Sequence, residues 1–598
     1  MRKVHRLLAL GGGFDYLLQI VTRDIDAYQR LIDEMLDAPS ALSRYFTYVV
    51  TKPVRARARR HLIFCWGRDD PAPKRLNSSC FFCTTPDFSH FHCPCQAHSS
   101  ARHEETAMTE TALSARTGIA DKAMVRSFSY IGGKWRAAAN GETIPVFDPA
   151  DGAELGHVAS LSADESSAAV VAAQAAFAAW ASMLPQQRAA ILRRWFELQL
   201  EHKEDLSRIM VLEQGKPLSE ARGEIDYGAA FVEFYAEEAK RPNIEGVTSH
   251  LPDAEVELWR EPVGVAALIT PWNFPSAMLT RKAAAALAAG CTVVAHPSAE
   301  TPFSALALAE LAERAGFPAG VFNVITGNAP TIVEPWTRDT RVRALSFTGS
   351  TEVGKLLYRQ SADTVKHLVM ELGGHAPVIV FKGCDLDKAV AEAIKAKFAT
   401  SGQDCLGANR IFVERPIYVE FCARFTEAAQ SLTIGPGMDD CDLGPLMNEK
   451  AVQKQEEHVA DALAKGATLA CGGKRHSLGP LFFEPTVLTD VPADARIMHE
   501  ETFGPVAPIT PFDSEDEVVA RANDSEYGLV AYVHSQDPRR IYRLSRALQY
   551  GMVAVNRTKV TGAPIPFGGT KQSGLGREGA RLGMEEFTEV KYVCRDWA

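Results

Sequence analysis

No apolar run in this chain approaches the roughly 20 residues that a membrane-spanning helix requires. The longest candidate, residues 283–295, is interrupted by Gly290 and Thr292. Positive charge is in short supply: 64 lysines and arginines stand against 74 aspartates and glutamates, a net charge of -10. That balance speaks against a surface built to attract nucleic acid. A cleavable leader is a poor fit as well. Arg2, Lys3 and Arg6 could begin one, but Gly11-Gly12-Gly13 and Asp15 break the apolar stretch that follows. Cysteine is sparse over most of the length. Of 12 cysteines, Cys65, Cys80, Cys83, Cys93 and Cys95 fall in the first hundred residues, and the other seven scatter through the rest. That is the usage of a reduced enzyme and not of a disulfide framework. The expectation is a soluble cytoplasmic protein with neither nucleic acid nor membrane as partner.

What is present is enough for several cores. The chain has 598 residues, 46% hydrophobic and 23% charged, which corresponds to roughly two to four domains. Composition changes near residue 53 and again near residue 125. In residues 1–53, strand-like runs at 4–10 and 16–21 precede a helix capped by Asp24, with Ala27, Tyr28, Leu31, Ile32 and Leu36 at helical spacing, and a last strand at 45–50. This β-β-α-β unit resembles half of the ferredoxin-like sensing domain of the feast/famine (leucine-responsive) regulators. Residues 54–124 read as an unstructured extension. Its basic run (Arg55, Arg57, Arg59, Arg60) is a solvated stretch. Cys80-x-x-Cys83 and Cys93-x-Cys95 lack zinc-ligand spacing in the second pair, so no metal is expected. Half a regulator domain, then unpatterned sequence, then Met108 or Met124 ahead of a complete enzyme reads as a start assigned too early. The alternative of another class is a regulatory fusion that uses the N-terminal module to sense an effector.

From residue 125 onward the pattern is α/β: a cofactor domain over 125–371, a second α/β domain over 372–560, and a C-terminal return over 561–598. Short apolar runs at 265–270, 292–295, 321–326, 344–348 and 368–372 alternate with helical patterns at 276–290 and 302–315. This predicts a Rossmann-like parallel sheet covered on both faces. Ligands of such sheets bind beyond the carboxyl ends of the strands, and three of those loops are unusual. Thr270-Pro271-Trp272-Asn273-Phe274-Pro275 sets an amide between prolines. Phe347-Thr348-Gly349-Ser350-Thr351-Glu352-Val353-Gly354 runs from a strand into a helix whose first amides suit a pyrophosphate. Glu371-Leu372-Gly373-Gly374 ends a strand on an ionisable side chain. After a helix at 386–398, Gly402-Gln403-Asp404-Cys405 delivers one cysteine into a polar loop, the setting of an accessible thiol.

These four motifs, with Glu501-Thr502-Phe503-Gly504-Pro505 and Pro566-Phe567-Gly568-Gly569, together resemble the aldehyde dehydrogenase superfamily over residue 125 to the end. The resemblance implies that Cys405 attacks an aldehyde carbonyl. It implies that Asn273 and the Cys405 backbone N–H receive the oxyanion, and that Glu371 activates the water that hydrolyses a thioester. Lys282 matches a lysine near the ribose and the proton path. Thr270, Trp272, His296, Ser298, Gly327, Phe347, Gly349, Ser350, Glu501 and Phe503 fall at nicotinamide-cofactor positions. The β stretches near 248–262 and 587–593 resemble a bridging element that pairs between subunits, which implies a homodimer or homotetramer.

Within the superfamily the stretch from Pro271 to Lys282 and the tail from Lys571 to Gly579 look most like succinate-semialdehyde dehydrogenases. A distal carboxylate needs a cation. Arg281 matches one such arginine, and Phe567 lies beside the substrate. Other departures bear on function. The second arginine is Ala399, which leaves glutarate semialdehyde or a broad range of aldehydes as alternatives. A lysine and a glutamate at the adenosine ribose are His296 and Ala299, so both NAD and NADP stay open, with NAD preferred. Thr400 replaces a common asparagine, with no account from sequence.

Overall fold

The computed structural model describes the backbone of four strands before residue 67, then Leu113, Arg116 and residues 118–596 apart from Pro242. The chain divides into two compact units, Met1–Arg102 and His103–Ala598.

In the first unit the strands Lys3–Ala9, Tyr16–Thr22, Arg60–Trp66 and Tyr45–Val50 lie side by side in that order, all antiparallel. Three coincide with the strands read from sequence. The fourth lies in the span read as unstructured: after the basic run, Leu62-Ile63-Phe64-Cys65-Trp66 is a set of strand-forming residues. The helix expected from Asp24 and the Cys80 to Cys95 cluster fall outside the described residues.

The second unit is built on two large sheets. In the first, Val342–Thr348, Val265–Ile269 and Thr292–His296 form the centre, flanked by His367–Glu371 and Phe322–Val324, and these five strands are parallel. Antiparallel strands, Gly574–Leu575 at one side and Ser129–Ile131 with Lys134–Arg136 at the other, close its edges. Every residue of Val265–Ile269 and Thr292–His296 is buried, which is why these strands are unbroken apolar runs instead of alternating ones. The helix Ala277–Ala289 is buried along its whole length and ends at Gly290, whose φ of 106° is left-handed. Its run of alanines lets it lie close to the sheet and carries Arg281 and Lys282 inside.

The second sheet runs Thr468–Cys471, Thr486–Thr489, Val506–Phe512, Ala408–Glu414, Ala376–Val380, Val530–His534, Met552–Val555. A third, smaller sheet pairs Ala254–Pro262 with Thr588–Asp596 over nine residue pairs, with Ile244–Val247 outside. This is the small β element expected from sequence. Among the described residues no single helix is long and apolar enough to cross a membrane.

The core of the second unit takes in residues ahead of the composition change at residue 125. Leu113 and Met124 are wholly buried in the core that holds Leu206 and Ile209. The Asp205 carboxylate accepts from the backbone N–H groups of Ala120 (2.9 Å) and Asp121 (3.0 Å), and Asp121 pairs with Arg314 at 2.5 Å. These are single anchoring contacts with no periodicity, so nothing in the pattern announces them. A chain beginning at residue 125 loses both buried side chains, each worth about 1.5–3 kcal/mol. Its thermal midpoint should lie several degrees below that of a chain beginning at residue 103, and calorimetry on the pair checks this.

Candidate active site

The carboxyl ends of the first sheet and the loop before Ala408–Glu414 enclose one cavity of about 780 Å³. Trp272, Asn273, Gly349, Ser350 and Glu371 reach it from the first sheet. Cys405, Glu501, Phe503 and Phe567 reach it from the other side, with Arg281 projecting from its helix.

The loop that carries Cys405 is held in an unusual backbone. Thr400, Ser401 and Gly402 follow one another at φ of 51°, 56° and 75°, left-handed values that cost a non-glycine residue of order 1–3 kcal/mol. Local bonds hold them there. The Glu220 carboxylate accepts from the Thr400 N–H (3.0 Å) and its hydroxyl (3.1 Å), and the Ser401 hydroxyl donates to Gly444 O (2.8 Å). Thr400, unexplained by sequence, is therefore the residue that ties the turn to Glu220. Glycines then let the loop close. A Cβ on Gly374 would lie 2.1 Å from Cys405 O, and one on Gly402 would lie 2.3 Å from Gly504 O. Burial pushes the Cys405 thiol well above its ordinary range, Glu371 and Asp404 add to this, and Arg281 opposes it.

Asn273 is fixed from both ends. Its side-chain amide donates one N–H to Gln403 O (2.9 Å), and an amide carries a second. Its backbone oxygen accepts from Lys216 Nζ (2.8 Å). Lys216 is paired at 2.5 Å with Glu224, both side chains fully buried, and lies 4.1 Å from the centre of the Phe274 ring. Glu224 in turn accepts from the N–H groups of Ser276 (2.9 Å) and Ala277 (3.0 Å), at the start of the Arg281 helix. Sequence reasoning missed this pair. Its only trace is Glu224 standing in the apolar stripe of Ala221, Ile225 and Gly228.

Glu371 is 2% exposed, and neither carboxylate oxygen has a hydrogen-bond partner among the described residues. Burial first, then the neighbouring Glu578 and Glu501, push its carboxyl up to about 8 against the pull of Arg281 and Lys282. Arg281 is buried, pairs with Glu578 at 2.5 Å and lies 4.3 Å from the Phe567 ring centre. Lys282 also pairs with Glu578 and donates to the Thr348 hydroxyl at 2.6 Å. It lies beneath Thr348 and does not line the cavity.

The expected cofactor residues separate into two groups. Gly349 and Ser350 open onto the cavity, and the Ser350 hydroxyl caps the helix Thr351–Ser361, accepting from Val353 N–H at 3.3 Å. Phe347 lies behind them, its ring 2.4 Å from where a Gly349 Cβ would stand. That helix exposes Val353 and Leu356. Opposite, Glu501 accepts from Gly374 N–H (2.8 Å). Phe503, at φ of 50°, meets the Trp272 ring edge-on at 5.5 Å. Thr270, His296, Ser298 and Gly327 lie off the cavity. Thr270 is buried, Gly327 packs against Ile332 and Leu161 O, and the Ser298 hydroxyl bonds to Glu300. His296 is buried, donates Nδ1–H to Ile325 O (2.9 Å), and is pushed down to about 4 by burial. A helix start bounded by glycines suits a pyrophosphate, and Glu501 faces the same cavity, so the residues present fit a nicotinamide dinucleotide.

Comparison with known proteins agrees with this geometry. The profile of the Aldehyde dehydrogenase family matches residues 135–593, and that of the Lrp/AsnC ligand binding domain matches residues 1–59. The chain is 52% identical to the succinate-semialdehyde dehydrogenase (NADP(+)) GabD of Escherichia coli strain K12, over 79% of this chain and 98% of that protein. It is 53% identical to a non-phosphorylating aspartate-semialdehyde dehydrogenase of Halomonas elongata, over 80% and 97%. Among solved structures, a succinate-semialdehyde dehydrogenase from Burkholderia pseudomallei superposes with a TM-score of 0.79 at 51% identity, covering 80% of this chain and 99% of that one.

Removing one partner of a buried ion pair leaves the other uncompensated, at about 3–5 kcal/mol. Lys216→Met should therefore destabilise the fold by about that amount. Adding Glu224→Gln, which keeps an acceptor for Ser276 and Ala277 without the charge, should return part of it. Denaturant unfolding of the two variants measures both.

Proposed function

The chain belongs to the aldehyde dehydrogenase family, and on that premise we propose that it oxidises succinate semialdehyde to succinate with a nicotinamide dinucleotide as electron acceptor. One observation carries the reading: the Cys405 thiol shares a single cavity with the Asn273 amide, a Glu371 carboxyl without hydrogen bonds, and the Arg281 guanidinium.

The residues act in sequence. The Cys405 thiol is held above its ordinary range, so its proton leaves as sulfur attacks the carbonyl carbon. Glu371, in the same cavity and titrating near neutrality, is suited to take it. The oxygen of the tetrahedral adduct gains negative charge and meets the second N–H of Asn273. A donor of this kind is typically worth about 10²–10³ in rate. When bound, the nicotinamide supplies the acceptor for the two electrons that leave the aldehyde carbon. The acyl group then sits on Cys405 as a thioester. Once Glu371 has released the thiol's proton to solvent, it removes a proton from the attacking water, and Cys405 departs as thiolate.

Cofactor preference follows from charge. His296 is neutral and buried, and Glu300 sits beside Ser298, so this stretch offers no cation to a 2′-phosphate. NAD is the cofactor we assign. A second reading of the substrate rests on Glu220 and Asp404, carboxylates in the cavity wall that suit an amino group. It is consistent with the aspartate-semialdehyde relative. We also place the protein as a homodimer or homotetramer through the small sheet, which exposes Ile244, Val247, Val590 and Tyr592.

The test is a panel of succinate, glutarate and aspartate semialdehydes and butanal with each nicotinamide. Succinate semialdehyde with NAD should give the highest kcat/KM, and Cys405→Ser should abolish turnover. NADH should bind about tenfold tighter than NADPH or better in a fluorescence titration. Full-speed turnover by the serine variant would overturn the mechanism.

Glu371 gives a pH signature. A base with a carboxyl near 8 is only about one-tenth ionised at pH 7. Its working form is lost as pH falls, so deacylation should rise about tenfold from pH 6 to 7 and level off above 8. Glu371→Gln should flatten the profile and let acyl-enzyme accumulate as a burst in stopped-flow absorbance.

A further inference from the structure

A distal carboxylate needs a cation that is not already neutralised, and the cavity offers fewer than its composition implies. Lys216 is committed to Glu224 and Asn273 O. Arg281 shares the single Glu578 carboxylate with Lys282 and so keeps only part of its charge for a ligand. Position 399, at the end of the helix Leu386–Phe398, is alanine and contributes no charge. Lys454 acts on Glu501, toward the cofactor side, and Lys450 lies one turn earlier on the same helix. Lys450 and Lys559 both line the cavity, are exposed, and make no ion pair or hydrogen bond among the described residues. Lys450 shares the helix of Lys454 on the Glu501 side, and Lys559 is the one on the substrate side.

Its segment is tied into the substrate wall at both ends. On one side Thr558 donates its N–H (2.6 Å) and hydroxyl (2.8 Å) to Glu392, on the helix that ends at Ala399. On the other, the Thr561 side chain hydrogen-bonds Tyr227, whose hydroxyl accepts from Arg281 Nη1 at 3.4 Å. Lys559 is thus strung between the place of the missing arginine and the arginine that is present. Its flexible four-carbon stem delivers a point charge to a range of positions, unlike a planar guanidinium fork.

We propose that Lys559 is a specificity-determining residue that binds the distal acid group of the substrate, taking over the charge absent at Ala399. This rests on the reading of the substrate as an anionic semialdehyde. It extends the acceptable class to short aldehydes ending in a carboxylate or similarly sized anion, because a point charge sets no planar geometry.

The experiment compares succinate semialdehyde with butanal in the full chain and in Lys559→Ala, Lys559→Arg and Lys559→Ala/Ala399→Arg. In Lys559→Ala the ratio of kcat/KM values should fall about tenfold, mainly through KM for the acid, as expected for loss of a charged partner. Lys559→Arg should keep most of the ratio, and Ala399→Arg should restore it in the double variant, which a general loss of folding would not permit. A ratio in Lys559→Ala within about twofold of the parent overturns the role of Lys559 while leaving the substrate reading intact. A parent chain that shows no preference for the acid over butanal overturns both.

Discussion

Two backbones meet at Cys405 where no side chain fits. The first sheet ends at Glu371 and continues through Gly373 and Gly374, and the cysteine's own carbonyl occupies the space a Cβ would take on Gly374. The nucleophile loop comes from the other sheet and turns through three left-handed residues to arrive there. Every chemical feature of the cavity follows from this contact. It sets the sulfur opposite the strand ends that bring Asn273 and Glu371. The strain of Thr400 and Ser401 is offset by Glu220 and by Gly444 O, so the loop is over-determined and does not drift.

The charges around that contact form linked groups. Lys216 and Glu224 neutralise one another and together fix the Asn273 loop and the first turn of the following helix. Arg281 and Lys282, adjacent on that helix, share Glu578 from the C-terminal return. Glu371 is left within their field but without a hydrogen bond among the described residues, and burial dominates its titration. One carboxyl held near neutrality beside others that are firmly paired is the arrangement a general base needs. One carboxylate shared by two cations leaves Arg281 only part of its charge for a ligand, which gives Lys559, without an ion pair among the described residues, its significance on the cavity wall.

The N-terminal unit and the enzyme body differ in composition and in the families they match. The body nevertheless extends upstream of the composition change, because Leu113, Met124 and Asp121 are anchored in its core. A boundary drawn from sequence pattern follows periodic elements, and these anchors have no period.

Sequence alone determined the parallel sheet, the cysteine loop and the residues that the proposed mechanism uses. Buried parallel strands must be continuous apolar runs, and Asn273, Glu371 and Cys405 sit in loops that interrupt such runs. The strands Val265–Ile269 and Val342–Thr348 and the helix Leu386–Phe398 were legible for that reason. Only the tertiary structure decided which residues share the cavity. It set His296, Gly327 and Lys282 away from it, gave Thr400 a partner in Glu220, joined Lys216 to Glu224, and brought Lys559 to the wall that holds Arg281. Ion pairs and backbone approaches of this kind link positions far apart in the chain. They depend on distance in space, and no local spacing of residue types records them.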